Sequence, residues 1–362
     1  MEFDPHWKDR LRSRRERTLA LGLELHKRYS RVFWALHSIW ALITGGLVLV
    51  LAHNRYGFLP LVVLFLALTW ASTLFFSRFA LGGESRRVRF AKGFVSYLTR
   101  VMYQETLFFL LPFYFYSSTF PSWNCAYVVV LAGLAALSCF DALFDRLLRT
   151  SRPFAAAFFF IVTYSALQFF LPLVLHVRIH NGAYLAAGLA FFASLPVAYS
   201  WHELNQGRRL ALIFLALAGI VAVLKVARVL LPPVPFRLAA LSFASKIDPE
   251  TLELGGEVEG TAPISGFAEG ALCVRATVFS PGRLPVRIQF RFLRDGQVLK
   301  TSRTLSLTAH ARGFRVWDAL GAGPNGFQPG VYRVEVWTGE GQLVGRGRLT
   351  LTGAVFRTTG AS

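Results

Sequence analysis

RRLALIFLALAGIVAVLKVARVLLPPVPF, residues 208–236, decides the architecture of this chain. Two cations, Arg208 and Arg209, precede an apolar run over 210–231. At ~1.5 Å per residue such a run covers the ~30 Å of a bilayer's hydrocarbon core. Pro232-Pro233-Val234-Pro235 then ends the run with a stiff, extended segment, and turn-rich polar sequence follows. The chain before this point is suited to lipid, and the chain after it to water.

Six further apolar runs lie upstream, over 32–52, 58–77, 97–118, 124–140, 153–176 and 183–201, so the expectation is an α-helical polytopic domain of seven transmembrane helices. Nine cations precede the first run, from Lys8 to Arg31. Five follow the second (Arg78, Arg86, Arg87, Arg89, Lys92), three the fourth (Arg146, Arg149, Arg152), and Arg208 and Arg209 the sixth. The intervening loops hold only Arg55 and Arg178. Lys and Arg are retained on the cytoplasmic side, so the expected topology has a cytoplasmic N-terminus, and everything beyond the seventh run is periplasmic or extracytoplasmic. The expected location is a bacterial inner membrane. The first run is not a cleavable signal, because about 30 mostly polar residues precede a core of about 20, against ~7–15 for a signal peptide.

The domains expected from these readings are a basic helix or arm over 1–31, a transmembrane domain over 32–231, a Pro/Gly-containing linker over 232–270, a soluble domain over 271–353 and a flexible tail over 354–362. The soluble part alternates short apolar–polar runs with turn residues, which predicts an all-β, immunoglobulin-like sandwich. Asp295-Gly296 reads as a two-residue hairpin turn. A second hairpin through Glu340-Gly341 sets a register that places Tyr332, Val334 and Val336 opposite Leu349, Gly347 and Gly345 on the buried side. On the outer side it pairs Trp337 with Val344, Glu335 with Arg346, and Arg333 with Arg348.

The formal charge of +19 would suggest nucleic acid on a soluble protein, but nineteen of the cations serve orientation and anionic lipid, so no nucleic-acid partner is expected. Cys125, Cys139 and Cys273 are too scattered for a metal motif, and a Cys125–Cys273 bond is conceivable without being required. No catalytic constellation, cofactor loop or metal spacing stands out, and the chain reads as non-enzymatic. Two groups of residues are candidate sites. Arg100, Gln104 and Glu105 in the third run, with Asp141 after the fourth, put polar groups at membrane depth, where each is costly and so marks either helix–helix pairing or a site. Arg333, Trp337, Arg346 and Arg348 form the candidate binding face of the β domain, thirteen of whose residues from 269 onward are basic and five acidic. His37 and Gln168 read as interhelical hydrogen-bond partners, and Lys225 and Arg228 as snorkelling anchors.

The strings Gln104-Glu105-Thr106-Leu107-Phe108-Phe109-Leu110-Leu111-Pro112-Phe113-Tyr114, Asp141, Gly330-Val331-Tyr332-Arg333-Val334-Glu335-Val336-Trp337 and Gly341-Gln342-Leu343-Val344-Gly345 resemble a family of uncharacterised bacterial multi-pass membrane proteins with a C-terminal soluble domain of unknown function. The resemblance implies the two-part architecture and no activity. The leading expectation is an inner-membrane anchor for a β-sandwich that binds an anionic lipid, a cell-envelope glycan or an envelope protein. Two alternatives stay open: a transporter or membrane-embedded enzyme working near Glu105, and a sensor acting through a separate partner.

Overall fold

The structure, a computed structural model, describes residues 86–200, 203, 206–267, 270–280, 282–309 and 313–353, with Val32, Leu36, Ile39, Trp40 and Ile43 upstream. Those five are helical and exposed. The 1–31 arm, the rest of the first apolar run including His37, the second run and the 354–362 tail lie outside the described residues.

Six helices fill the places of the other five runs and of the segment that follows the fourth. They are α1 (Arg86–Tyr116), α2 (Cys125–Ser138), α3 (Asp141–Thr150), α4 (Arg152–Leu175), α5 (Ile179–Ala198) and α6 (Gly207–Val226), which tightens into a 3₁₀ turn over Ala227–Leu230. Among the described residues, three helices are long and apolar enough to cross a membrane: Arg152–Leu175, Ile179–Ala198 and Gly207–Leu230. Seven were expected. α1 is long, but Arg100, Gln104, Glu105 and Thr106 interrupt its apolar run, and α2 has only 14 residues. Ser151 caps α4, its hydroxyl accepting the Phe154 amide at 3.3 Å, with Pro153 in the first turn. Pro112, Pro172 and Pro196 sit inside helices, as a bilayer setting tolerates. Tyr103, Leu107, Tyr114, Leu131, Phe158 and Phe169 form the packed centre of α1, α2 and α4. α6 has one buried side chain, Ile213, and leaves Leu212, Phe214, Leu215, Val221, Val223 and Val226 exposed. Covering each such side chain is worth about 2 kcal/mol, which the hydrocarbon of a bilayer is suited to supply.

The second half is all strand. One sheet runs β2 (Leu254–Val258), β1 (Arg237–Ile247), β4 (Ala271–Phe279), β8 (Phe314–Gly321). The other runs β3 (Thr261–Pro263), β10 (Leu343–Thr352), β9 (Gly330–Thr338), β5 (Leu284–Arg294), β6 (Gln297–Thr301), with β7 (Leu305–Ala309) on β5 below β6. The sheets share one core, including Phe243, Leu272, Val274, Phe290, Phe292 and Tyr332. β1 lies over β10, where Gly345 and Gly347 make room for Leu238, Leu241 and Phe243.

Residues 232–270, read as linker, therefore hold β1, β2 and β3. Only 231–236 joins helix to strand, and all six residues are buried. β6 and β7 are separated by a short break in which Ser302's hydroxyl accepts the Phe290 amide. Asp295 and Gly296 take positive φ (46° and 89°) and close the β5–β6 hairpin two by two. The β9–β10 register agrees at Tyr332–Leu349, Val334–Gly347, Val336–Gly345, Glu335–Arg346 and Arg333–Arg348. Trp337 differs. A bulge at Val344 sets it opposite Leu343, because Gln342, not Gly339, closes the turn onto Thr338.

Candidate functional site

The intramembrane candidates are only partly gathered. Gln104 is fully buried, and its amide donates to Cys139 Sγ at 3.5 Å, linking α1 to the end of α2 two residues before Asp141. Glu105, on the same helix, is half-buried. The side chains of Arg100 and Asp141 are outside the described residues. The larger polar cluster in the bundle includes one residue read from the sequence, Gln168. Its Oε1 lies 3.0 Å from the Tyr114 hydroxyl, which donates to the Ser165 carbonyl at 2.9 Å, and Tyr127 meets Ser165 Oγ at 2.7 Å. This ladder ties α1, α2 and α4 together, as interhelical hydrogen bonds do in lipid.

The charges between α5 and α6 also have a structural role. Glu203 accepts the Ser200 amide and hydroxyl (2.8 and 3.0 Å) and pairs with Arg209 at 3.3 Å. The Ser200 backbone bond first, then the Ser200 hydroxyl and Arg209, holds its carboxyl down at about 2. Ser200 Oγ accepts the Glu203 amide in return, which makes a reciprocal capping box.

The β face is where chemistry-bearing groups converge. At the ends of the helices that face the sandwich, Asn124 is fully buried and its Nδ2 donates to the Leu343 carbonyl at 3.1 Å. Its Oδ1 accepts the Thr119 amide at 3.0 Å. Gln342 Nε2 donates to the Leu231 carbonyl at 3.1 Å, satisfying one of the carbonyls that the end of α6 leaves open. Arg346's guanidinium donates to the Pro121 carbonyl. Arg228, an exposed residue, reaches the β9–β10 hairpin, its guanidinium 3.6 Å from where a Cβ on Gly341 would stand. Sheet and helices are thus bolted together.

Beside these contacts a cleft of about 440 Å³ opens between the α1–α2 loop and β9–β10. Trp123 and Cys125 line one wall, and Glu335, Trp337, Leu343 and Arg346 the other. Trp123 is 75% exposed. Trp337 Nε1 donates to Glu335 Oε2 at 2.9 Å, and the Arg291 guanidinium stacks 4.5 Å from its ring centre. From the cleft a basic stripe runs up the outer face of the sheet through Arg346 to the cross-strand pair Arg333–Arg348, both exposed. All four residues of the candidate binding face are therefore on one surface, with Arg346 and Trp337 at the cleft and Arg333 and Arg348 beyond it. Like charges directly opposite are mildly destabilising, so the pair favours an anion. Among the described residues no three metal-ligating side chains cluster, and all three cysteines are free. Burial raises the Cys273 thiol, aided by Asp318.

The sequence reading did not single out Trp123, Asn124, Arg291 or Gln342. Asn124 has the signature of an N-cap before an apolar run, yet it makes no capping bond and uses its amide across the junction instead.

A model for a family of unknown function, DUF5924, matches residues 12–265, which takes in α1–α6 and β1–β3. The strings at 104–114 and 141 fall inside the match, and those at 330–345 beyond it. No curated protein matches the chain.

Proposed function

We propose, from the premise that the chain belongs to the DUF5924 family of unknown function, that it anchors an outward-facing sandwich which binds an anionic amphiphile of the bacterial envelope at the membrane surface. In this reading the helical part spans an inner membrane, with the cations keeping the N-terminus inside and the sandwich on the far side. The sandwich is immunoglobulin-like. Its support is the parallel β3–β10 pairing within two otherwise antiparallel sheets, and Tyr332, whose hydroxyl donates to the Gln328 carbonyl at 3.0 Å in the manner of a tyrosine corner.

The observation that carries the reading is the cleft with its stripe. Trp123 lines the cleft, and Phe115, Tyr116 and Phe120, at the end of α1 and in the loop after it, are exposed as well, the pattern of an aromatic belt at headgroup level. A phosphate or uronate leaving that level meets Arg346 first, then Arg333 and Arg348, while the lipid or sugar part lies against Trp123 and Trp337. A fixed junction holds the two walls in place.

The test uses the full chain in detergent, titrated with short-chain phosphatidylglycerol, short-chain phosphatidylcholine and acidic cell-wall fragments. Anionic ligand is expected to bind and phosphatidylcholine not. Each cation near an anionic surface contributes ~1 kcal/mol, so Arg333→Ala with Arg348→Ala weakens binding about thirtyfold. Equal affinity for the neutral lipid, or no effect of the double substitution, removes the proposal. The topology has its own check: a phosphatase fused after Ser362 is expected to be active, and a reporter there that works only in the cytosol overturns the orientation.

A further inference from the structure

The sheet containing β8 is one strand short of the sheet it covers. Outward from the β1–β10 contact, one sheet continues through β4 and β8, while the other continues through β9, β5 and the β6–β7 column. Among the described residues no strand pairs with the outer edge of β8. Over β6 and β7, where a fifth strand would lie, there is a groove of about 660 Å³. Leu305, Leu307, Phe314 and Val316 give it an apolar floor that is continuous with the core.

The edge is open over one stretch and plugged over another. Ala319's amide donates to Asp318 Oδ1 at 2.8 Å, and its carbonyl accepts from Lys300 Nζ, which also pairs with Asp318 at 2.9 Å. Charged side chains aimed inward from edge strands are a usual guard against stray pairing. Backbone groups two residues apart on a strand point the same way, so Arg315 and Trp317 present their N–H and C=O to the same edge, beyond the plug. An acyl chain in the groove would leave those groups unsatisfied, whereas an extended peptide satisfies them. Arg303 and Arg315 flank the groove, and its one carboxylate, Asp318, is already held by Lys300.

We infer that β8 accepts an extended segment of a partner protein as a fifth strand, one whose alternate residues are apolar, facing Leu305, Leu307, Phe314 and Val316, and acidic, facing Arg303 and Arg315. This is strand addition at a sheet edge, in which main-chain bonds give affinity and alternate side chains give selectivity. It uses a surface separate from the β9–β10 face and does not depend on what that face binds.

The probe is a fluorescein-labelled heptapeptide alternating valine with glutamate, titrated by anisotropy into the full chain in nanodiscs. Binding is expected, with slowed amide exchange at Arg315 and Trp317. Arg315→Ala removes one cation and weakens binding about fivefold. Arg315→Pro also removes an edge-facing donor without touching the β4 ladder, and weakens it beyond tenfold. A peptide N-methylated at alternate positions is expected not to bind. Failure of the parent peptide to bind at millimolar concentration overturns the inference. So does retained binding of the N-methylated peptide, or displacement of the parent by anionic vesicles, either of which assigns the groove to a ligand that adds no strand.

Discussion

Gly345→Val is expected to cost the sandwich about 3 kcal/mol and to lower its melting temperature by roughly 10 °C. Gly345 faces inward on β10 opposite Val336, and β1 passes directly over it. A Cβ there would stand 2.6 Å from Leu238 Cβ. The obstacle sits next to β1's backbone, so the two sheets must separate and rotamer adjustment will not suffice. Gly347 is the milder case, since the atoms nearest to it are the ends of the Leu241 and Phe243 side chains, and Gly347→Ala is expected to cost about 1 kcal/mol. At Gly321 an added methyl would meet nothing within 4 Å, and Gly321→Ala serves as the neutral comparison. Cys273 is 5% exposed, so with the half-buried Cys125 and Cys139 replaced by serine a thiol-reactive dye reports the melt of the sandwich in the full chain. Unchanged dye uptake in Gly345→Val would mean that the sheets are not packed at this point.

That pair of glycines also shows which features the sequence revealed. The β9–β10 hairpin could be read residue by residue because strict alternation, Tyr332, Val334 and Val336 against Leu349, Gly347 and Gly345, leaves one register that buries every apolar side chain. The error at Trp337 came from the turn, where one extra residue and Gln342's bond to Thr338 replaced the two-residue loop. β1 was missed for a compositional reason: it follows three prolines, carries a register shift between Leu238 and Ala240, and pairs with a strand beginning Leu254-Gly255-Gly256. Turn residues there form a strand because β4 and β10 cover β1 on its edge and its face. In the helical half, Gln168 was recognisable as an interhelical partner because a lone amide in an apolar run has little else to do. The partners at the junction carried no comparable signal. Asn124 and Leu343 are 219 positions apart, and Gln342 and Leu231 are 111 apart. Neither pair has a local pattern to betray it.

Asn124→Ala is expected to release the sandwich from the helices, although Asn124 does not line the cleft. Its side chain satisfies two groups that have no water to turn to, the Leu343 carbonyl across the junction and the Thr119 amide within its own loop. Leaving each unpaired costs about 1–3 kcal/mol, so the docked state loses about 3 kcal/mol, or about a hundredfold in the opening equilibrium. Opening exposes the 231–236 strap, now wholly buried, and trypsin cuts at its end at Arg237, which is half-buried while the junction is closed. Cleavage there is expected to accelerate by about that factor, because proteolysis of a transiently opened segment follows its population. Gln342→Ala acts on the other bolt and is expected to give about tenfold, since only the Leu231 carbonyl is left open. If the two contacts close one interface, the double variant falls short of the product of the singles, as coupled neighbours do. The proposed site for an anionic amphiphile needs both walls of the cleft, so Asn124→Ala is expected to lose that binding as well while Arg333, Arg346 and Arg348 are all present. Unaccelerated cleavage with binding intact would show that the junction is not what shapes the cleft.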